Sequence, residues 1–90
     1  MQKYRRFQNN GNFVGNIDDT KITPGIYYIN SPSSYTHASI TSQSLTAPQW
    51  CILIQFHQYS SQMFVTDPIL YRTHIGSPAS WSNWVKFVSQ

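Results

Sequence analysis

No stretch of this sequence repeats apolar residues at i, i+3, i+4 and i+7 over a helical length. That removes helix bundles and helix-covered parallel sheets from the possible folds. The chain offers instead short runs of β-branched and aromatic residues, separated by turn-forming Gly, Pro, Asn and Ser at roughly ten-residue intervals. The sequence therefore predicts an all-β domain, a small antiparallel sheet or a compact β-sandwich of about five to six short strands.

The chain can be read in order. Residues 1–17 have neither a helical nor a strand period, because Asn9, Asn10, Gly11, Asn12, Gly15 and Asn16 interrupt them. They read as an extended lead-in, a junction to an upstream segment, followed by a folded domain over 18–90. Pro24-Gly25 is a turn signal: proline presets φ at one position and glycine accepts positive φ at the next. It launches a strand in which Ile26 and Tyr28 share one face, Tyr27 and Ile29 the other. Residues 33–49 are Ser/Thr-rich, with a short strand expected over 38–41 and a loop over 44–49.

Residues 50–57 form the clearest strand. Ile52, Ile54 and Phe56 face one way, and Cys51, Leu53, Gln55 and His57 the other. A strand apolar on both faces at its start belongs in the middle of its sheet. A strand over 62–66 follows, and residues 69–88 read as a closing hairpin. There Leu70 and Arg72 lie opposite Ile69, Tyr71 and Thr73, while Val85 and Phe87 lie opposite Trp84, Lys86 and Val88. Arg72 is well placed for a cation–π contact with Trp81 or Trp84.

Ninety residues make one domain near the small end for a self-sufficient core. Cys51 is alone, so no internal disulfide supports it. Aromatic packing or oligomerisation must do so, and the six Tyr, five Phe and three Trp favour the first. Only 10% of residues are charged, against about 25% in an ordinary domain. Ser, Thr, Asn and Gln supply 33 of the 90 residues, so the surface is polar through hydrogen bonding rather than charge. Such a surface suits neutral, hydroxyl-rich ligands. Of the six basic residues behind the net charge of +3, Lys3, Arg5 and Arg6 fall in the first six positions and read as a solvated arm or chain junction rather than a nucleic-acid patch. The longest apolar run, 50–54, falls far short of the ~20 residues that span a bilayer, so no membrane insertion is expected.

Catalytic chemistry has little material. Cys51 and His57 share a strand face but stand about 20 Å apart along it, beyond the reach of a nucleophile–base pair. His37, His57 and His74 lack metal-ligand spacing, and Asp18, Asp19 and Asp67 make no calcium loop. The reading is of a protein that is no enzyme, with no cofactor and no metal. Where a ligand site exists, Tyr35 and His37 in the polar middle segment, and His57, Gln58 and Tyr59 after the central strand, are the candidates. They pair aromatic planes with hydrogen-bonding groups near turns.

The order of signals resembles the knob domain of R-type pyocin and phage tail fibres. Asp19 precedes the Pro24-Gly25 turn, then come Tyr27-Tyr28, Asn30 and Pro32, the apolar strand WCILIQF, and Gln62-Met63-Phe64. The most specific part is last: Tyr71-Arg72-Thr73, a Gly/Ser turn, then Trp81-Ser82-x-Trp84-x-Lys86. The similarity spans residues 16–88. It departs at 33–49, where the family has Gly and a longer N-x-P loop. The resemblance implies a small β-rich module of a homotrimeric fibre, in a virion or an extracellular phage-tail-like particle. Its role would be attachment to a bacterial surface polysaccharide or another host receptor, or spacing within the fibre. It carries no universal ligand site, so Pro24, Gly25, Tyr27, Gln62, Tyr71, Arg72, Trp81 and Trp84 are expected to define the fold. The alternative is a small OB-like binder of single-stranded nucleic acid. Such grooves track phosphates with many Lys and Arg, and beyond the arm only Lys21, Arg72 and Lys86 remain; no nucleic-acid partner is expected.

Overall fold

Strand alternation sorts the side chains between a core and a bare surface. The computed structural model describes residues 8–57 and 61–87, so the Lys3, Arg5, Arg6 arm, Gln58, Tyr59 and Val88 lie outside the described residues. The strands are β1 (Asn9–Asn12), β2 (Gly15–Asn16), β3 (Gly25–Ile29), β4 (Tyr35–Thr36), β5 (Cys51–His57), β6 (Ser61–Val65), β7 (Ile69–Gly76), β8 (Ala79–Trp81) and β9 (Val85–Phe87). A 3-10 turn at Pro32–Ser34 and one short α-helix, α1 (Ala38–Ser42), interrupt them. The protein is all-β. Its main sheet runs β1-β3-β5-β6-β7-β8, with β9 also on β7, and a separate pair joins β2 to β4. The β1–β3 pairing is parallel, and the other pairings of the main sheet are antiparallel. As its sequence requires, β5 lies inside the sheet, between β3 and β6.

Tyr27, Ile29, Leu53, Phe64 and Leu70 form the buried face of the sheet. Phe13, Ile17, Ile22, Tyr35 and Ile40 complete one apolar cluster with them. Aromatic contacts join the layers: Phe13 meets Tyr27 edge-on at 5.3 Å between ring centres, and Tyr35 lies 6.2 Å from Phe64. The opposite face of the sheet has no such cover. There Tyr28, Ile52, Phe56, Val65, Tyr71, Val85 and Phe87 are all more than a third exposed. The molecule is one large mixed sheet whose covered side carries the small β2–β4 pair and α1, through Tyr35 and Ile40.

Three local expectations change. Part of the segment read as a lead-in is fold: β1 pairs with β3, and Phe13 and Ile17 are buried. Its Asn and Gly residues hid a strand because β1 is an edge, held by backbone bonds rather than by side-chain burial. Gly25 (φ +144°) lets β1 approach, since a Cβ there would collide with the Gln8 carbonyl and the Asn10 side chain. Second, residues 38–42 are helical, not extended, because tertiary contacts outweigh the weak helix propensity of Ser, Ile and Thr. Ile40 is fully buried and Ser39 is drawn into the polar network described next. Third, β8 and β9 run along the same edge of β7, but their register slips by one residue between His74↔Trp81 and Tyr71↔Val85. In an unbroken strand, Trp81 and Trp84 would point to opposite faces. The extra residue acts as a bulge and turns both indoles to the core side.

Those indoles enclose Arg72, which is only 2% exposed. Its guanidinium carbon lies 3.8 Å from the Trp81 ring centre and 4.4 Å from that of Trp84. Nε donates to Gln62 Oε1 (2.8 Å), Nη1 to Ser39 Oγ (3.1 Å), and Nη2 to the Ile17 carbonyl (2.9 Å) and Asp18 Oδ1 (2.8 Å). Gln62 donates in turn to the Ile17 carbonyl and to Gln55 Oε1, each at 2.9 Å. Pairing register aligns Gly25, Gln55, Gln62 and Arg72 in one row across four strands. Ser39 Oγ accepts from Arg72 and from Trp84 Nε1 (2.9 Å) and donates to Asp18 (2.5 Å), which uses its full hydroxyl capacity. Burial draws the Arg72 pKa down, while the bond to Asp18 and its charge pull it back up. We predict that Arg72→Lys lowers unfolding stability by about 2–4 kcal/mol in urea titrations, because one ammonium cannot replace a planar fork. A loss under about 0.5 kcal/mol, the level of an ordinary surface substitution, would contradict the assignment.

Candidate functional site

The segment after α1 folds into a loop, 44–50, whose two ends are held in unusual backbone. Ser44 (φ 60°) and Trp50 (φ 51°) are the non-glycine residues with positive φ among those described. Such positions are costly for a bulky residue and persist only when surroundings enforce them. Here Ser44 N donates to the Thr41 carbonyl (2.9 Å), Leu45 N to the Ile40 carbonyl (3.1 Å) and Trp50 N to the Asn30 carbonyl (2.9 Å). Tyr35 fixes the middle: its buried hydroxyl donates to the Pro48 carbonyl at 2.8 Å. The indole of Trp50 is left 69% exposed.

Residues 44–49 of the loop, next to Trp50 in the chain, form one wall of a groove of about 320 Å³. Thr66, Asp67 and Pro68, in the turn between β6 and β7, form the other wall, with Leu70 and Lys86 completing the lining. Leu70 and Lys86 are cross-strand partners on β7 and β9. The polar groups are the hydroxyls of Ser44, Thr46 and Thr66, the amide of Gln49, one carboxylate and one ammonium. Leu45, Ala47, Pro48 and Pro68 supply apolar contact. The charges balance, and a lone carboxylate provides no acid–base pair for glycoside hydrolysis. The volume falls at the low end of small-ligand sites, about 300–1,000 Å³. This arrangement can hold a neutral polar ligand through hydroxyl and amide hydrogen bonds.

The sequence candidates are distributed differently. Tyr35 is buried and supports the groove loop from beneath. His37 is half-buried, with its ring centre 5.1 Å from that of Tyr35 and Nε2 3.1 Å from the Pro32 carbonyl. That contact makes Nε2 the protonated nitrogen. His37 Nδ1 is buried without a hydrogen-bond partner. His57 is exposed at the far end of β5 from Cys51, about 20 Å of strand away. The structure brings Tyr35 and His37 together and leaves His57 remote from them. Gln58 and Tyr59 lie outside the described residues. Of the residues expected to define the fold, Gln62, Arg72, Trp81 and Trp84 join in the core network, Gly25 ends its row, and the Tyr27 hydroxyl donates to the Thr23 carbonyl (2.7 Å). Pro24 is half-buried, its carbonyl taking the Asn10 side-chain amide (3.1 Å), and Tyr71 stands on the bare face. Sequence reasoning missed Asp67 and Lys86, which line the groove, and Trp50, exposed at the end of its loop. Trp50 reads as the first residue of an apolar strand, and only its backbone angle and exposure set it apart.

Among the described residues, no group of three or more His, Cys, Asp or Glu converges as metal ligands, and no helix is long and apolar enough to cross a membrane. Cys51 is buried, and burial pushes its thiol from 9.0 up to about 11. The Tyr35 phenol moves in the same direction, chiefly through burial and secondarily through Cys51. No family model matches the chain, and no curated protein or solved structure is significantly similar to it.

A pH dependence follows from these two groups. The folded state holds their protons more tightly: the Cys51 contribution to stability is complete below the unfolded value of 9.0 and is lost as pH rises through about 11, and that of Tyr35, whose unfolded value is 10.0, is lost at higher pH still. The urea midpoint is expected to fall above pH 9, with a smaller fall in Cys51→Ala, and native Cys51 to resist alkylation that proceeds readily in urea. Fast native alkylation at neutral pH would contradict the buried thiol.

Proposed function

We propose that this protein is a non-enzymatic attachment module of a phage or phage-like tail fibre. It acts as three copies in a virion or extracellular tail-like particle and engages a neutral bacterial surface polysaccharide through the groove beside Trp50. The observation that carries the reading is an exposed indole, held at positive φ, on a loop that walls a charge-balanced groove lined with hydroxyl and amide groups. Sugar rings present apolar faces to aromatic planes and hydroxyls to amides and hydroxyls, and both kinds of group occur here. The charge-poor composition and the resemblance of the closing Tyr-Arg and Trp-x-x-Trp segments to fibre knobs support the same reading. Nucleic-acid binding is less well supported. The bare sheet face offers aromatic rings for stacking, but Lys21 and Lys86 are the exposed Lys and Arg residues among those described, and a phosphate track needs more.

The test is titration of the full chain with a panel of bacterial surface polysaccharides at low and high salt, followed by calorimetry and tryptophan fluorescence. The expected result is saccharide-selective binding that survives high salt, with Trp50→Ala weakening it at least tenfold, about 1.4 kcal/mol, while the urea midpoint is kept. Binding to polyanions alone that disappears with salt, or equal saccharide affinity of Trp50→Ala, would overturn the reading.

A further inference from the structure

The groove holds two charges of opposite sign that the fold itself does not use. Asp67 stands in the turn between β6 and β7, and Lys86 on β9. Both residues are exposed. Among the described residues neither forms an ion pair, with the other or with a third group; the ion pair there is Arg72–Asp18. Their backbones are nevertheless fixed in place. Lys86 is the cross-strand partner of the buried Leu70, about 5 Å away across the sheet. Asp67 precedes Leu70 by three residues, about 10 Å of extended chain. The flexible stem of the lysine can therefore bring the two charges to within the length of one or two sugar rings.

We infer that the groove takes a zwitterionic saccharide, one whose sugar units carry an ammonium for Asp67 and an anion for Lys86. This ligand class rests on the polysaccharide reading above and makes the ligand neutral by balance rather than by lack of charge. A sugar with hydroxyls alone strips water from both charged groups and returns nothing to them. A purely anionic chain gains Lys86 and is repelled by Asp67, and a purely cationic one meets the reverse. A ligand of both signs satisfies both groups through charge-assisted hydrogen bonds, which are the stronger kind. The hydroxyls of Thr46 and Thr66 and the amide of Gln49, in the same lining, are left for the ring hydroxyls. A free amino group on a sugar supplies the cation. A carboxylate or a phosphate supplies the anion, and both present the same chemistry to Lys86.

The test is calorimetric titration of the full chain with a glucosamine–glucuronic acid disaccharide in four forms: unmodified, N-acetylated, carboxyl-reduced, and both. The unmodified form should bind tightest, each loss of charge weakening it about three- to fivefold, the size of an exposed ion pair. Asp67→Asn should weaken the unmodified and carboxyl-reduced forms and leave the N-acetylated form unchanged. Lys86→Met should weaken the unmodified and N-acetylated forms and leave the carboxyl-reduced form unchanged. Both positions are exposed, so the urea midpoint should be kept. Glucosamine phosphate, titrated beside the disaccharide, tells a phosphate from a carboxylate as the preferred anion. Four forms bound equally, none bound, or a variant that loses affinity for all four alike would overturn the inference. Equal binding of the four that still depends on Trp50 would leave polysaccharide attachment standing without it. Charge-selective binding of the disaccharide, with no polysaccharide bound, would uphold the ligand class and remove the attachment role.

Discussion

The guanidinium of Arg72 is the constraint on which the other parts of the structure depend. A cation removed from water costs several kcal/mol unless its donors and charge are satisfied. Four of its five N–H donors meet acceptors from three different segments, and two indole faces take the remaining approach. The carboxylate of Asp18, a quarter exposed, balances the charge from the edge of the core. Such a centre is a weak source of net stability and a strong source of specificity, because a wrong register leaves a charge buried without partners. It fixes the pairing of β6 with β7, the path of the chain at Ile17–Asp18, the helical turn at Ser39 and the bulge that aims both tryptophans.

The same centre sets the groove. Ser39 ties α1 to Arg72, and Gln43, at the end of α1, pairs twice with the Trp84 backbone: its amide donates to the Trp84 carbonyl (3.0 Å) and its oxygen accepts from the Trp84 N–H (2.5 Å). Ser44 begins one wall of the groove, and Lys86, two residues beyond Trp84, completes its lining. Rigid polar bonds therefore connect the buried cation to both sides of the candidate site. The bare face sits on the reverse of the same strands. One sheet thus separates a polar groove from an apolar face.

Much of the fold was legible from side-chain alternation. The faces assigned to β3, β5 and β7 agree with the burial of Tyr27, Ile29, Leu53, Leu70 and Arg72, and the cation–π contact of Arg72 followed from its place in the closing hairpin. What stayed hidden depends on long-range contact. The Asn- and Gly-rich β1 has no apolar face to show, and α1 is shorter than the window in which a helical period can be seen. The bulge between Trp81 and Trp84 cannot be read from a spacing of three, which strand alternation assigns to opposite faces. The candidate site was the least legible part. Tyr35 and His37 were chosen as aromatic and polar near turns, but the phenol is spent on Pro48. The exposed indole belongs to Trp50, whose strand-like neighbours gave no sign of positive φ.

The most direct measurement of the central claim is nitrogen-edited NMR of the arginine side chains. If Arg72 is the buried centre, its Nε–H and Nη–H protons will give resolved, slowly exchanging signals, displaced by the ring currents of Trp81 and Trp84. Substituting Trp81 by Phe should move them while the backbone signals of β5 and β6 stay in place. A single averaged guanidinium signal at the position of solvent-exposed arginine, exchanging as fast as that of a free side chain, would contradict the account.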